Sequence, residues 1–452
     1  MKQYRNAYFI GIGGIGMSAI ARYCLKKGLS VAGYDRTPSD ITEALRTEGA
    51  DVHYDDDASR IPSDAGSTIV IYTPAVPADF GELEYVRSHG YKVVKRSEML
   101  GVIAKDQHCL AVAGTHGKTT TSTLTAHIFT ESGEGCSAFL GGISANYGSN
   151  LLISDNPVIV AEADEFDRSF HRLFPDIAAI TAMDPDHLDI YGTEEAYCEA
   201  FRVFASQVSR FLILKKGLPI TPEDTRARIY TYHLDEPGAD FRAENIRLQQ
   251  AGRFSFDLVY PSGKISGILC GVPGILNVEN SVAAAAIALL WGIAPEKVAA
   301  AIGSFRGAAR RLDIRYDDGR TVYLDDYAHH PRELSSAITS IRGMFPGRKL
   351  TAVFQPHLYS RTRDFADGFA RALSAVDKLI MLDIYPAREE PIPGVDSKMI
   401  LDKVTAPEKV LLPKEALVEY LRNEELQVLV TFGAGNIDRL VAPIAEMLNH
   451  RR

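Results

Sequence analysis

At 452 residues the chain is too long for one ordinary core, so two or three domains are expected. With 46% hydrophobic and 24% charged residues it reads as a soluble globular protein, and a net charge of −9 argues against nucleic acid as its main partner. Five widely spaced cysteines without a C-x-x-C pair point to free thiols in a reducing cytosol, so a cytoplasmic location is expected. The N-terminus MKQYRNAYFIGIGG lacks a signal-peptide pattern, and the longest apolar helix candidate, Val282–Trp291, is too short to span a bilayer.

Residues 1–105 alternate strands and helices, which implies a parallel, wound sheet. Ala7–Ile10 reads as a strand, Ile15–Lys27 as a helix and Ser30–Asp35 as a second strand, with later strands at Ile69–Tyr72 and Lys92–Lys95. Between the first strand and its helix lies GIGGIG, residues 11–16, which fits G-x-G-x-x-G. Gly13, Gly14, Ile15 and Gly16 therefore mark a backbone turn for a pyrophosphate, and Asp35, about 20 residues on, suits a ribose hydroxyl. NAD and a UDP-sugar both carry a pyrophosphate.

Residues 106–308 hold AVAGTHGKTTT, 111–121. A buried strand, Cys109–Ala113, leads into a tight turn, and a helix is expected over Thr120–Thr130. Gly114, Thr115, His116, Gly117, Lys118, Thr119 and Thr120 form a phosphate cradle: backbone N–H groups face the anion, Lys118 reaches the terminal phosphates, and the Thr119 hydroxyl suits Mg²⁺. Val112 stands where the full motif has its first Gly. The pattern indicates ATP. Strands at Val158–Ala161 and Ile177–Thr181 end in EADE, 162–165, and DPDHLD, 184–189. Acidic groups beyond strand ends can hold the Mg²⁺ that accompanies ATP; Glu162 and His187 are the candidate ligands, while Asp186 and Asp189 would equally cap a helix. Residues 225–270 show short alternating strands. Asn277 and Asn280 open an Ala-rich helix and suit either an adenine or the helix cap.

Residues 309–452 begin with Arg310-Arg311, two guanidiniums suited to phosphate at a plausible hinge. Strands at Val322–Leu324, Leu350–Phe354, Leu379–Ile384 and Val428–Phe432 end in DDYAHHP, QPHLYSRTR, YPAREEPIPGV and GAGN, which again puts a ligand surface at the carboxyl edge.

Together GIGGIGMSAIA (11–21), AVAGTHGKTTT (111–121), AEADEFDRSF (161–170), MDPDHLDIYG (183–192), RRLD (310–313), DDYAHHP (325–331), FQPHLYSRTR (354–363) and FGAGNI (432–437) resemble the Mur ligase family over nearly the whole chain. The resemblance implies an α/β protein of three domains. These are a Rossmann-like N-terminal domain (1–105) binding a UDP-sugar, a central P-loop ATPase-like domain (106–308) with a parallel sheet plus a small antiparallel part, and a Rossmann-like C-terminal domain (309–452) that closes over ATP and binds the amino acid. The implied reaction joins the lactyl carboxylate of UDP-N-acetylmuramate to L-alanine with ATP and Mg²⁺, the first peptide step of peptidoglycan synthesis, with no membrane insertion. By the same resemblance Lys118 and Thr119 hold the phosphates and a metal, and Glu162 and His187 hold metal. Asn280 touches adenine, Arg311, Asp326 and His329 close over the phosphates, and Arg361 meets the alanine carboxylate. Three positions depart from the family pattern: Leu276 replaces a His, Leu358 replaces an Arg, and no Lys lies between His187 and Lys215 to be carbamylated.

The chemistry agrees. A carboxylate is a poor electrophile towards an amine, and phosphoryl transfer converts it to an acyl phosphate with a good leaving group. No Ser-His-Asp or Cys-His motif suggests an acyl-enzyme. Three alternatives stay open: a sister ligase attaching a recycled peptide to the same sugar nucleotide, an NAD-dependent oxidoreductase, and an ATP-gated binding protein.

Overall fold

The computed structural model describes residues 3–105, 107–185, 188–387 and 389–451. It is α/β, built on three sheets, and its residues gather into two compact units. The first unit comprises Met1–Asn245, Phe256–Leu269 and Glu279–Arg306; the second comprises Ile246–Ser255, Cys270–Val278 and Gly307–Arg452.

In the first unit, β1 (Asn6–Ile10), β2 (Ser30–Tyr34), β3 (Asp51–His53), β4 (Thr68–Tyr72) and β5 (Lys92–Lys95) pair in parallel in the order β3-β2-β1-β4-β5. The order reverses at β1, so the glycine turn that follows β1 lies at the sheet's switch point, where ligands of wound sheets bind. The next strands are β6 (His108–Ala113), β7 (Ser137–Ser144), β8 (Ser149–Leu152), β9 (Val158–Ala163), β10 (Ile177–Ile180), β11 (Phe211–Lys215), β12 (Arg228–His233), β13 (Phe241–Leu248), β14 (Phe254–Tyr260) and β15 (Gly263–Leu269). They form one sheet ordered β15-β14-β13-β12-β11-β10-β6-β9-β7-β8. β6 lies between β10 and β9, parallel to both, and β8 runs antiparallel to β7. The strands around β6 are continuous apolar runs because helices cover both faces.

These two sheets share one apolar core. Tyr23 of the helix Ile15–Lys26 packs against Phe139 of β7, ring centroids 5.4 Å apart. Beside it the buried Asn150 of β8 donates to the Ile15 carbonyl at 2.6 Å and to Ser18 Oγ at 3.0 Å. This buried amide ties β8 to the helix Ile15–Lys26 of the first sheet, because leaving it unpaired costs about 1–3 kcal/mol.

The sheet of the second unit contains β16 (Asp313–Asp317), β17 (Val322–Asp326), β18 (Leu350–Phe354), β19 (Lys378–Leu382), β20 (Glu408–Leu412) and β21 (Val428–Phe432), ordered β16-β17-β21-β18-β19-β20. It is parallel except for β16, which pairs antiparallel with β17.

Several boundaries differ from the sequence reading. The helix of the phosphate cradle starts at Lys118, not Thr120, because Gly117 takes φ +81 and turns the chain into the helix one residue ahead of the lysine. β9 runs through Ala163, so Glu162 is a strand residue paired with Val112. β2 stops at Tyr34 and β10 at Ile180, while β17 continues to Asp326 and β19 ends at Leu382. The strands at 51–53, 137–144, 149–152, 313–317 and 408–412 carry too little unbroken apolar pattern to be read beforehand.

Candidate active site

The glycine turn after β1 is shaped by side chains on three sides. Gly13 N–H donates to Asp35 Oδ2 at 2.7 Å, and a Cβ on Gly13 would fall 2.9 Å from that oxygen and 2.7 Å from Thr42 Cγ2. A Cβ on Gly16 would fall 2.8 Å from Arg96 Nη1. Gly14 is roomier, its nearest such neighbour being Gly11 O at 3.6 Å. Ile15 opens the helix. Asp35 thus braces the turn's backbone, a contact its ribose reading did not include.

The phosphate cradle after β6 is held from below by hydroxyls. Thr115 Oγ1 lies 2.8 Å from Asp184 O and 2.9 Å from Tyr197 OH. Thr181 Oγ1 donates to Ala113 O at 3.1 Å and to His116 O. His116 Nε2 lies 3.4 Å from Asp184 Oδ2. Thr120 is buried in the first turn of the helix. These contacts make Thr115 a brace of the loop, with its hydroxyl turned inward.

Lys118 Nζ donates to Gly114 O at 2.7 Å and to Glu165 Oε1 at 2.9 Å. Burial opposes its charge, but the Glu165, Asp164 and Glu162 carboxylates outweigh that and hold its pKa above the usual lysine value. Burial raises Glu165, against the pull of Lys118. Glu165 is the functional neighbour that sequence reasoning missed. It was visible as the last residue of the EADE run but carried no motif of its own.

Thr119 Oγ1 donates to Glu162 Oε1 at 3.2 Å, and Gly141 N–H to Glu162 Oε2 at 3.0 Å. A Cβ at Gly141 would sit 2.3 Å from the carboxylate, so glycine is required for Glu162 to reach this position. A hydroxyl and a carboxylate side by side at a phosphate cradle are hard oxygen donors and fit Mg²⁺. Among the described residues no cluster of three or more His, Cys, Asp or Glu is placed to hold a metal ion. His187, the other expected ligand, lies outside the described residues. Asn280 stands at the phosphate end of the cradle, where Thr121 Oγ1 donates to its Oδ1 at 3.3 Å.

In the second unit the turn 310–313 is bound to the end of β17. Arg310 and Leu312 take φ +63 and +48. Arg310 Nε donates to Asp325 Oδ2 at 2.9 Å, and Asp326 accepts from the N–H of Leu312 and of Ala328, both at 2.8 Å. Burial pushes Asp326 up to about 6, against the pull of Arg311 and these two N–H groups. Both Asp326 oxygens therefore serve the protein's own backbone. His329 is lowered by burial, an effect opposed by Glu333, whose Oε2 lies 3.3 Å from its Nδ1. Arg361 and Arg311 also lower His329, so both guanidiniums act on it electrostatically. The structure thus assembles Arg311, Asp326, His329 and Arg361 around the carboxyl ends of β17 and β18. Leu358, at φ +70, ends the turn before the helix of Arg361, and its N–H donates to Tyr385 O at 3.0 Å.

Three family models match in tandem: the Mur ligase family catalytic domain over residues 6–108, the Mur ligase middle domain over 112–288, and the Mur ligase glutamate ligase domain over 310–435. The chain belongs to the Mur ligase family. It is 53% identical to the UDP-N-acetylmuramate–L-alanine ligase of Parabacteroides distasonis, over 98% of this chain and 96% of that one. It is 46% identical to the ligase of the same name from Flavobacterium johnsoniae, over 99% of each. A crystal structure of UDP-N-acetylmuramate–alanine ligase from Thermotoga maritima superposes with a TM-score of 0.85 at 26% identity, covering 99% of this chain and 100% of that one. A murein peptide ligase from Psychrobacter arcticus shares the fold at TM-score 0.71 and 20% identity, over 98% of each chain.

Proposed function

We propose that this chain joins the lactyl carboxylate of UDP-N-acetylmuramate to L-alanine, converting ATP to ADP and phosphate, as the first peptide step of peptidoglycan synthesis. One observation carries the reading: Lys118, Thr119 and Glu162 converge on a helix N-terminus in a chain whose full-length relatives share that activity in their names. The glycine turn takes the UDP-sugar, with Gly13, Gly14, Ile15 and Gly16 facing the pyrophosphate and Asp35 near the uridine. Residues 1–105, 106–308 and 309–452 divide the work between sugar nucleotide, ATP and amino acid. A cytoplasmic location belongs to the same proposal, because ATP and a UDP-sugar are its substrates. Among the described residues no helix is long and apolar enough to cross a membrane.

In the first step a lactyl carboxylate oxygen attacks the γ-phosphorus, the bond from that phosphorus to the β,γ-bridging oxygen breaks, and ADP leaves as the acyl phosphate forms. In the second the neutral alanine amine attacks the acyl carbon, the C–O bond to phosphate breaks, and the amine gives up a proton to the departing phosphate or to water. An ammonium has three N–H donors. Those of Lys118 hold Gly114 and Glu165, and the incoming phosphate competes with Glu165 for them while the helix N-terminus supplies further N–H groups. Thr119, Glu162 and His187 would hold Mg²⁺, which supplies charge neutralisation at the phosphates. Asn280 touches the adenine, Arg311 and His329 serve the phosphates, and Arg361 receives the alanine carboxylate; Asp326, expected beside them, instead holds the backbone of the turn that carries Arg311.

The test combines UDP-N-acetylmuramate, a panel of amino acids and peptides, and Mg·ATP, with the lactyl carboxylate carrying heavy oxygen. L-alanine should support phosphate release, with one labelled oxygen per bond made. A preference for the tripeptide would mark the sister ligase. AMP and pyrophosphate as products would show adenylation, and NAD displacing the sugar nucleotide would reject the turn assignment.

A further inference from the structure

The glycine turn and the phosphate cradle lie in the same compact unit, and one side chain reaches towards both. Arg96 opens the helix Arg96–Ala104, directly after β5. A Cβ at position 16 would fall 2.8 Å from its Nη1 and 3.1 Å from its Cδ, so glycine there lets the arginine lie against the first turn of the helix Ile15–Lys26. Its Nη2 donates to Asp164 Oδ2 at 3.0 Å. Asp164 is the residue between the end of β9 and Glu165, and Glu165 holds Lys118. From the glycine turn to the ATP lysine the path is therefore Gly16, Arg96, Asp164, Glu165, Lys118.

A neighbouring pair shows what plain docking looks like. Lys95 Nζ meets Asp167 Oδ2 at 2.7 Å, joining the same two stretches of chain from one residue further out, with both side chains about a third exposed. Exposed pairs of this kind contribute about 0–1 kcal/mol. Arg96 is less exposed, at 20%, while its partner Asp164 is as open as the Lys95 pair, at 37%; what sets Arg96 apart is its planar fork, with donors on two sides, which a lysine lacks.

We infer that Arg96 is a positioning residue. Through Asp164 it sets the glycine turn in register with Lys118, and so sets the carboxylate of the bound sugar nucleotide against the terminal phosphate of ATP. This rests on the ligase reading above. A displacement of about 1 Å between reacting groups lowers turnover by about 10²-fold. The expected signature is thus in kcat, with each substrate still bound.

The experiment measures kcat, the KM of each substrate and Tm for Arg96→Ala, Arg96→Lys, Asp164→Asn, the double variant Arg96→Ala/Asp164→Asn, and Lys95→Ala. Arg96→Ala and Asp164→Asn should each lose about 10- to 100-fold in kcat with the KM for ATP within about twofold. The double variant should be no worse than the worse single one. Lys95→Ala should stay within about twofold of the parent. Arg96→Lys keeps charge and stem but not the fork, and should remain impaired; it carries the test if Arg96→Ala does not fold. Normal kcat in Arg96→Lys, multiplying losses in the double variant, or an equal loss in Lys95→Ala would each overturn the inference. So would a raised KM for the sugar nucleotide at unchanged kcat, which would make Arg96 a plain ligand contact. A parent protein that releases no phosphate from the full substrate mixture would overturn the ligase reading itself, and this inference with it.

Discussion

Both glycine turns of the first unit follow a parallel strand where the strand order reverses, and both open a helix, so both present N–H groups to an anion. Their side-chain surroundings differ. At Gly11–Gly16 a carboxylate, Asp35, ties the backbone and the cation, Arg96, is already committed to Asp164. At Gly114–Thr119 the lysine is part of the turn and is surrounded by Glu162, Asp164 and Glu165. The first environment suits a diphosphate that is only held. The second supplies a cation and metal-binding oxygens for a phosphoryl group that moves. Under the proposed function, backbone shape would give both turns their affinity for phosphate, and the side chains would decide which phosphate reacts.

Removing Lys118 is the most direct way to break this contrast. Lys118→Ala should lower kcat by about 10²–10³-fold. The side chain also neutralises the buried Glu165, so the substitution has a stability cost that reading Lys118 as a simple phosphate contact omits. Breaking a buried pair costs about 3–5 kcal/mol, and protonation of Glu165, already favoured by burial, relieves part of it. Lys118→Ala/Glu165→Gln should therefore recover Tm but not turnover. Recovered turnover would mean that the lysine serves the fold alone.

Arg361 stands in the first turn of the helix Tyr359–Leu373, and its proposed role is with the amino acid alone. Arg361→Ala should raise the KM for alanine by about 10- to 100-fold, the worth of a charge-assisted hydrogen bond, with the KM for ATP nearly constant. Steady-state kinetics varying each substrate in turn checks this. A matching rise for ATP would remove Arg361 from the amino-acid site.

The two glycines of the first turn sharpen the comparison. Gly13→Ala places a Cβ against Asp35 and Thr42, disturbing the turn before any ligand arrives. Gly14→Ala meets nothing closer than 3.6 Å. Gly13→Ala should raise the Kd for UDP-N-acetylmuramate about tenfold by calorimetry. If Gly14→Ala weakens binding with Tm unchanged, the cause is the ligand's close approach. If neither variant changes the Kd, the turn is not the sugar-nucleotide site.

Much of the fold around both turns was legible in the sequence because strand–turn–helix units are local. GIGGIG and GTHGKTT each combine a strand, a turn and a helix within a few residues, and the apolar runs of the parallel strands mark buried sheets. What the sequence hid was long-range. Gly141 gives no sign that it makes room for Glu162, nor Gly16 that it makes room for Arg96. Asp326 reads as a free acid in DDYAHHP, yet both its oxygens are taken by backbone N–H groups brought by a turn with two left-handed residues. Short or charged strands such as Asp313–Asp317 are held by their neighbours rather than by their own pattern.

The smallest expected effect lies beneath the first turn. Tyr8 OH lies 2.8 Å from both His53 Nε2 and Glu82 Oε2, and His53 O accepts the N–H of Asp35 at 3.0 Å. Glu82 is fully buried, and burial pushes its carboxyl up to about 7, against the pull of hydrogen bonds from Tyr8 and the Asp57 N–H. A carboxyl raised from its ordinary 4.5 binds its proton more tightly in the folded chain than in the unfolded one. Its contribution to stability is therefore complete below the unfolded value and is lost as pH rises through about 7. Glu82→Gln keeps the size and an acceptor oxygen but cannot ionise. The Tm of the parent should fall between about pH 5 and 8 by a few degrees more than that of Glu82→Gln. Parallel Tm curves would show that Glu82 does not titrate in this range. A binding curve for UDP-N-acetylmuramate that weakens over the same range only in the parent would tie the buried acid, through His53 and Asp35, to the turn above it.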